Sequence, residues 1–217
     1  MHYKAVIFDF DYTLGDATEA IYAGIRHALT TMGFPQPDWE AVRQTMGLRI
    51  QDAYTQLTGD SSQSGQERFY ELFHPVARDL QAQGAVKLFP GVWELLKALK
   101  GAGTALAVVS TKNTDSLEAV LTAKGLRDSF TYVVGADQVS RCKPDPEGLL
   151  WVLGQLGLTP REALYCGDTV IDAQAAQAAG IDFCAVLNGT TPAEAFLDYP
   201  TVRVAPDLPA LQTWLGL

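Results

Sequence analysis

The sequence predicts an α/β fold in which helices flank a parallel β-sheet, interrupted once by an all-helical insert. Three observations carry this reading. Short, uninterrupted apolar runs recur without a helical stripe, as strands covered on both faces require. From Phe89 onward these runs alternate with amphipathic helical patterns. Between the first run and the second, residues 16–85 show only helical patterning. That stretch is far longer than a strand-to-helix connection of about 2 to 6 residues.

The first strand is Ala5 to Phe8, so Asp9 stands at its carboxyl end, where open parallel sheets form their ligand crevices. If the backbone stays extended, Asp11 lies about 6.6 Å further on and on the same side. Two acids then face one pocket, and the Thr13 hydroxyl is suited to bonding the turn that holds them. In the insert, Ile21, Tyr22, Ile25, Leu29 and Met32 form one helical stripe closed by Gly33, with His27 off the stripe and solvated. Asp38 is placed to cap a helix running from Trp39 toward Met46. Further helices are expected over Ile50 to Leu57 and Gln66 to Gln83, separated by a polar loop.

Beyond the insert, Pro90 and Gly91 open a helix with Val92, Leu95, Leu96 and Leu99 facing inward. The strand Thr104 to Val109 follows and ends at Ser110. Thr111, Lys112 and Asn113 lead into a helix capped by Asn113 or Thr114, whose free N–H groups suit a phosphate. A third strand, Thr131 to Val134, precedes Lys143, which is stiffened by Pro144 and Pro146. After a helix carrying Leu149, Leu150, Val152, Leu153 and Leu156, the fourth strand runs from Ala163 to Cys166. Gly167 turns the chain, and Asp168 and Asp172 share one side of the turn into a helix over Ala173 to Ala179. A strand Phe183 to Leu187, a capping-box start at Thr191, Pro192 and Glu194, a short strand Val202 to Val204 and a helix Leu208 to Leu215 complete the chain.

Composition bounds the function. A chain of 217 residues, 47% hydrophobic, is enough for one full core and a smaller subdomain. With 25 acidic against 16 basic residues and a net charge of -9, it lacks the clustered cations that nucleic-acid binding needs. A small anion can still be held at a local positive centre. The odd set Cys142, Cys166 and Cys184 has no paired spacing and fits a reducing compartment. Neither a leader pattern nor a membrane-length apolar segment is seen, so the expectation is a cytoplasmic protein with no membrane partner.

Asp9, Asp11 and Thr13 after one strand, Ser110 after the next, Lys143 before Pro144, and Gly167, Asp168 and Asp172 together resemble the four motifs of haloacid dehalogenase superfamily phosphohydrolases, in their order. The resemblance spans nearly the whole chain. It implies a Rossmann-like core formed by residues 1–15 and 86–217, with residues 16–85 as the α-helical cap. It also implies a Mg²⁺-dependent phosphatase acting on a small phosphorylated metabolite. Asp9 would be the nucleophile, Asp11 the general acid and base, and Lys143 the neutralising cation. Thr13, Ser110 and Thr111 would lie around the phosphoryl group, and Asp9, Asp11, Asp168 and Asp172 around the metal. An acid at position 11 argues for phosphate rather than carbon–halogen chemistry. The layout is similar to phosphoglycolate phosphatase-like members, with Arg49 as a candidate contact for a substrate carboxylate. A sugar-phosphate mutase resembling β-phosphoglucomutase, or a noncatalytic phosphate-binding protein, are the alternatives. Two departures stand out: Tyr12 where the family most often has Gly, its phenol expected to project toward the cap or the pocket mouth, and Ala17 in place of a frequent Ser.

Overall fold

The computed structural model describes residues 3–217. Its main sheet has six parallel strands in the order β5-β4-β1-β6-β7-β8. These are β1 (Ala5–Phe8), β4 (Ala105–Val109), β5 (Tyr132–Val134), β6 (Ala163–Gly167), β7 (Asp182–Val186) and β8 (Thr201–Ala205). β1 lies between β4 and β6, pairing Phe8 with Val108 on one side and with Cys166 on the other. Strand order thus reverses at β1, which places a crevice beyond its carboxyl end. Neighbouring strands lie about 4.8 Å apart, so the tips of β4, β1 and β6 are adjacent.

Alternation along β1 divides the core. Val6 and Phe8 face one apolar layer, and Ala5 and Ile7 face the other. The first layer meets helices α5 (Val92–Gly101), α6 (Thr114–Ala123) and α9 (Leu208–Leu215), and the second meets α7 (Glu147–Leu156) and α8 (Val170–Ala179). Apolar packing continues from the first layer through Phe10 and Leu14 into the insert.

The insert consists of α1 (Thr18–Thr31), α2 (Trp39–Arg43), α3 (Ile50–Thr58) and α4 (Gln63–Ala82). Asp38 caps α2 as expected, accepting from the N–H groups of Glu40 and Ala41. That helix ends at Arg43 rather than near Met46, because the chain passes into turns before Gly47, whose φ is +87°. α4 starts three residues before Gln66, where Ser62 caps it. Helices α1 and α4 pack closely at Gly24, where an added Cβ would lie 2.8 Å from the Phe73 ring. Tyr54, Phe69 and Phe73 form an aromatic row, with centroids 4.9 Å and 5.9 Å apart. A small antiparallel pair not anticipated from the sequence joins β2 (Gly15–Asp16) to β3 (Lys87–Leu88). It clamps together the two chain crossings that enter and leave the insert.

Three other local features differ from the sequence reading. The N-terminus of α6 is capped by Asp137, whose carboxylate accepts from the Thr114 N–H and hydroxyl, while the Asn113 amide turns to Tyr70. The Thr191–Glu194 pattern forms no capping box; a short 3-10 turn over Ala193–Phe196 takes its place. Capping boxes form instead at Thr159 with Glu162 and at Thr169 with Asp172.

Phe69 is fully buried in the aromatic row. Replacing it with Ala is expected to cost about 3 to 5 kcal/mol of stability. Urea unfolding followed by circular dichroism checks this, and a loss below about 1 kcal/mol would show that the row does not bear on the fold.

Candidate active site

The site begins where β1 ends. The Asp9 N–H still bonds the Cys166 carbonyl at 2.9 Å, so Asp9 is held beside the tip of β6. The chain then folds into a tight loop in which the Phe10 carbonyl accepts from the N–H groups of Thr13, Leu14 and Gly15. This loop requires a left-handed residue, and Tyr12 supplies it with φ 56°. A side chain resists that conformation, which explains physically why Gly is frequent at such a position. The Tyr12 ring is buried, and its hydroxyl pairs with that of Thr18 at 2.7 Å. It therefore points to the base of the insert.

Three carboxylates meet here. Asp9, Asp168 and Asp172 each offer an oxygen within 4.8 Å of the others, and all three are buried. Gly167 and Gly189 make room for them, since a Cβ on either would strike the carboxylate of Asp172 or Asp168 respectively. Lys143 reaches into the group from the loop after β5. Its Nζ is 2.6 Å from Asp172 Oδ1, 2.9 Å from the Tyr165 hydroxyl and 3.1 Å from Asp9 Oδ1. The contact to Asp9 is an ion pair without hydrogen-bond alignment, so Asp9 Oδ1 is buried with no hydrogen-bond partner.

Burial pushes the Asp9 carboxyl up to about 6, with the Asp172 charge adding to this and the Lys143 charge opposing it. Burial, together with the Asp172 and Asp9 charges, raises Asp168 well above the usual carboxylate range. Asp172 is also buried, but the charge and hydrogen bond of Lys143, with bonds from Thr169 and Tyr165, hold it below its ordinary value. Lys143 loses more to burial than to any other single influence, yet Asp172 and Asp9 together keep it firmly protonated. Three acids around one ammonium leave the group short of positive charge. Hard oxygen donors, an orphaned buried carboxylate oxygen and a deficit of two charges fit a divalent cation.

The remaining sequence candidates fall in different places. Asp11 Oδ2 lies 3.1 Å from Lys112 Nζ, and its Oδ1 is buried without a partner. Thr13 is fully buried and donates to Asp168 Oδ1 at 3.3 Å, so it steadies that carboxylate. Ser110 is buried at the tip of β4, its Oγ accepting from the Lys112 N–H. The Thr111 hydroxyl donates to the Gly47 carbonyl at 3.2 Å. Gly47 also abuts Thr169, so the insert touches two strand-end loops. Between insert and sheet lies a cavity of about 610 Å³, including its part open to solvent, with Asp11, Thr111 and Lys112 on the sheet side. Arg49 is exposed at the start of α3 and does not line it.

Sequence reasoning missed Tyr165, Lys112, Thr169 and Asn188. Tyr165 reads as one more apolar strand residue, and nothing marks its hydroxyl. Lys112 gives no signal beyond following Ser110. Thr169 three residues before Asp172 is a capping-box spacing open to notice. Asn188 and Gly189 form a turn dipeptide after β7, and the Asn188 amide bonds the Thr13 carbonyl at 3.1 Å.

Residues 6–186 match the family model described as haloacid dehalogenase-like hydrolase. The chain belongs to this family. It is 37% identical over 180 residues to the "Probable phosphatase IndB" of Dickeya dadantii, covering 81% of this chain and 77% of that protein. To Phosphoglycolate phosphatase 1 of Pseudomonas aeruginosa it is 31% identical over 192 residues, covering 86% and 70% respectively. A solved structure from Bacteroides fragilis, described as a "Putative haloacid dehalogenase-like hydrolase", superposes with a TM-score of 0.91 at 33% identity. That match covers 96% of this chain and 99% of the other. The hydrolase is thus an enzyme with the α/β architecture read from the sequence. No helix among its described residues is long and apolar enough to cross a membrane.

Tyr165 donates to Asp172 at 2.8 Å while accepting from Lys143. Tyr165→Phe leaves both partners one bond short and is expected to cost about 1 to 3 kcal/mol in urea unfolding. An unchanged midpoint would show that the hydroxyl does not steady the cluster.

Proposed function

We propose that the protein is a Mg²⁺-dependent phosphomonoester hydrolase working through an aspartyl-phosphate on Asp9. The observation that carries this reading is the buried meeting of Asp9, Asp168, Asp172 and Lys143 beside a cavity that Asp11 borders. In this reading helices α1 to α4, residues 16–85, are a cap over the site, and residues 1–15 and 86–217 are the catalytic core. The substrate is a small phosphorylated metabolite, and the compartment is the cytoplasm, in keeping with three free cysteines. The relatives' names make phosphoglycolate the first ester to assay.

Asp9 attacks phosphorus, and the bond from phosphorus to the leaving oxygen breaks as Asp11 delivers a proton to that oxygen. Asp11, now a carboxylate, takes a proton from water. The water oxygen attacks the phosphorus of the aspartyl-phosphate, releasing inorganic phosphate and restoring Asp9. Lys143 stays protonated throughout, offsetting charge on Asp9 and on the phosphoryl oxygens. Ser110, Thr111 and nearby N–H groups of the α6 approach hold those oxygens. Asp9, Asp168 and the Asp11 carbonyl would hold Mg²⁺, which supplies positive charge to the phosphoryl group when bound. Because the Asp172 oxygens already accept from Lys143, Tyr165 and Thr169, its part is to fix Lys143, and any contact with the cation would be through water.

Purified protein with Mg²⁺ is expected to release inorganic phosphate from small monoesters, and chelator is expected to abolish release. Asp9→Asn should abolish turnover, and Asp11→Asn should lower kcat by about a hundred- to ten-thousand-fold. A steady-state assay of phosphate release checks all three. Full activity in chelator, or an active Asp9→Asn protein, would exclude the mechanism. Transfer of the phosphoryl group between sugar hydroxyls without release would favour the mutase reading.

A further inference from the structure

The cavity between insert and sheet carries information about the leaving group. Its two basic liners are already committed, Lys112 to Asp11 at 3.1 Å and His74 to Asp115 at 3.0 Å. Much of the wall is apolar, with Ile21, Leu48, Ile50 and Phe73 among its residues. Other polar liners are also bonded: the Asn113 amide donates to the Tyr70 hydroxyl at 2.6 Å, and the Thr45 hydroxyl donates to the Val42 carbonyl at 2.8 Å.

Gln81 is different. It is 1% exposed, lines the cavity, and its Oε1 has no hydrogen-bond partner. A buried amide oxygen without a partner is costly, so such a group calls for one. Gln81 continues the face of α4 that also presents Tyr70, His74 and Ala77 to the cavity. Along the helix it stands about 16 Å beyond Tyr70, at a rise of about 1.5 Å per residue. An amide offers both an acceptor and donors, and a hydroxyl can answer either.

We infer that this cavity takes an uncharged, largely apolar leaving alcohol bearing a second hydroxyl, and that Gln81 reads that hydroxyl. The inference rests on the phosphatase reading and narrows it. A leaving group with a carboxylate would enter a chamber whose wall is largely apolar and which already holds an unpartnered carboxyl oxygen, Asp11 Oδ1, which disfavours phosphoglycolate. Arg49, exposed and outside the cavity wall, does not relieve that.

The test compares para-hydroxyphenethyl phosphate, phenethyl phosphate and phosphoglycolate on the Mg²⁺-loaded enzyme. The wild type is expected to prefer the hydroxylated ester over its unhydroxylated match by about ten-fold in KM, the worth of one neutral hydrogen bond. Both neutral esters should exceed phosphoglycolate in kcat/KM. Gln81→Leu, or Gln81→Met should the first fail to fold, is expected to erase the preference by raising KM for the hydroxylated ester to that of its unhydroxylated match. A higher kcat/KM for phosphoglycolate, or a preference that survives loss of the amide, would overturn the inference. If no ester is turned over, the phosphatase reading falls, and calorimetric binding of the two free alcohols still decides. Tighter binding of the hydroxylated alcohol to wild type but not to Gln81→Leu supports the pocket assignment, and equal binding refutes it.

Discussion

One ammonium group, that of Lys143, stands between two buried carboxylates and close to a third, and the site depends on it. Asp9 comes from the end of β1, whereas Asp168 and Asp172 come from the turn after β6 and the first turn of α8, and all three are nearly free of solvent. Like charges brought together in that setting repel, and burial denies them water. Lys143, itself almost fully buried, draws the loop after β5 onto the tips of β1 and β6 and offsets one of the three charges. Tyr165 and Thr169 complete its setting by fixing the partner carboxylate Asp172. The imbalance that persists is the physical reason to place a divalent cation there.

The sheet makes that meeting possible. Because β4 and β6 flank β1, residues distant in sequence become neighbours at three adjacent tips. The insert enters immediately after this point, and the β2–β3 pair clamps its two crossings together. Gly47 then lies against Thr111 and Thr169, so a loop of the insert closes over the strand ends. In the proposed reading, phosphate chemistry and leaving-group selection fall to different surfaces. The strand tips hold charge, whereas the helical wall is largely apolar.

Much of this was legible in the sequence because it rests on patterns with a physical cause. Apolar runs ending at Asp9, Ser110 and Asp168 mark strand tips, and the length of the helical stretch marks an insertion. Features that depend on three-dimensional meeting were not legible. Tyr165 looks like core until its hydroxyl is seen between Lys143 and Asp172. Asp137 caps α6 from 23 residues away, displacing the local candidates Asn113 and Thr114. β2 and β3 have two residues each, too few for any period to show. Gln81 reads as one polar residue on an amphipathic helix, and its burial follows only from how α4 packs. Thr191 to Glu194 shows the converse: a helix-start spacing that the fold uses for a single 3-10 turn.

The most direct measurement is a calorimetric titration of Mg²⁺ into the wild-type protein and into Asp168→Asn. If the strand-tip cluster is two positive charges short, wild type binds one Mg²⁺ per chain and Asp168→Asn does not. Absence of binding to wild type, or equal binding to both proteins, would contradict the account.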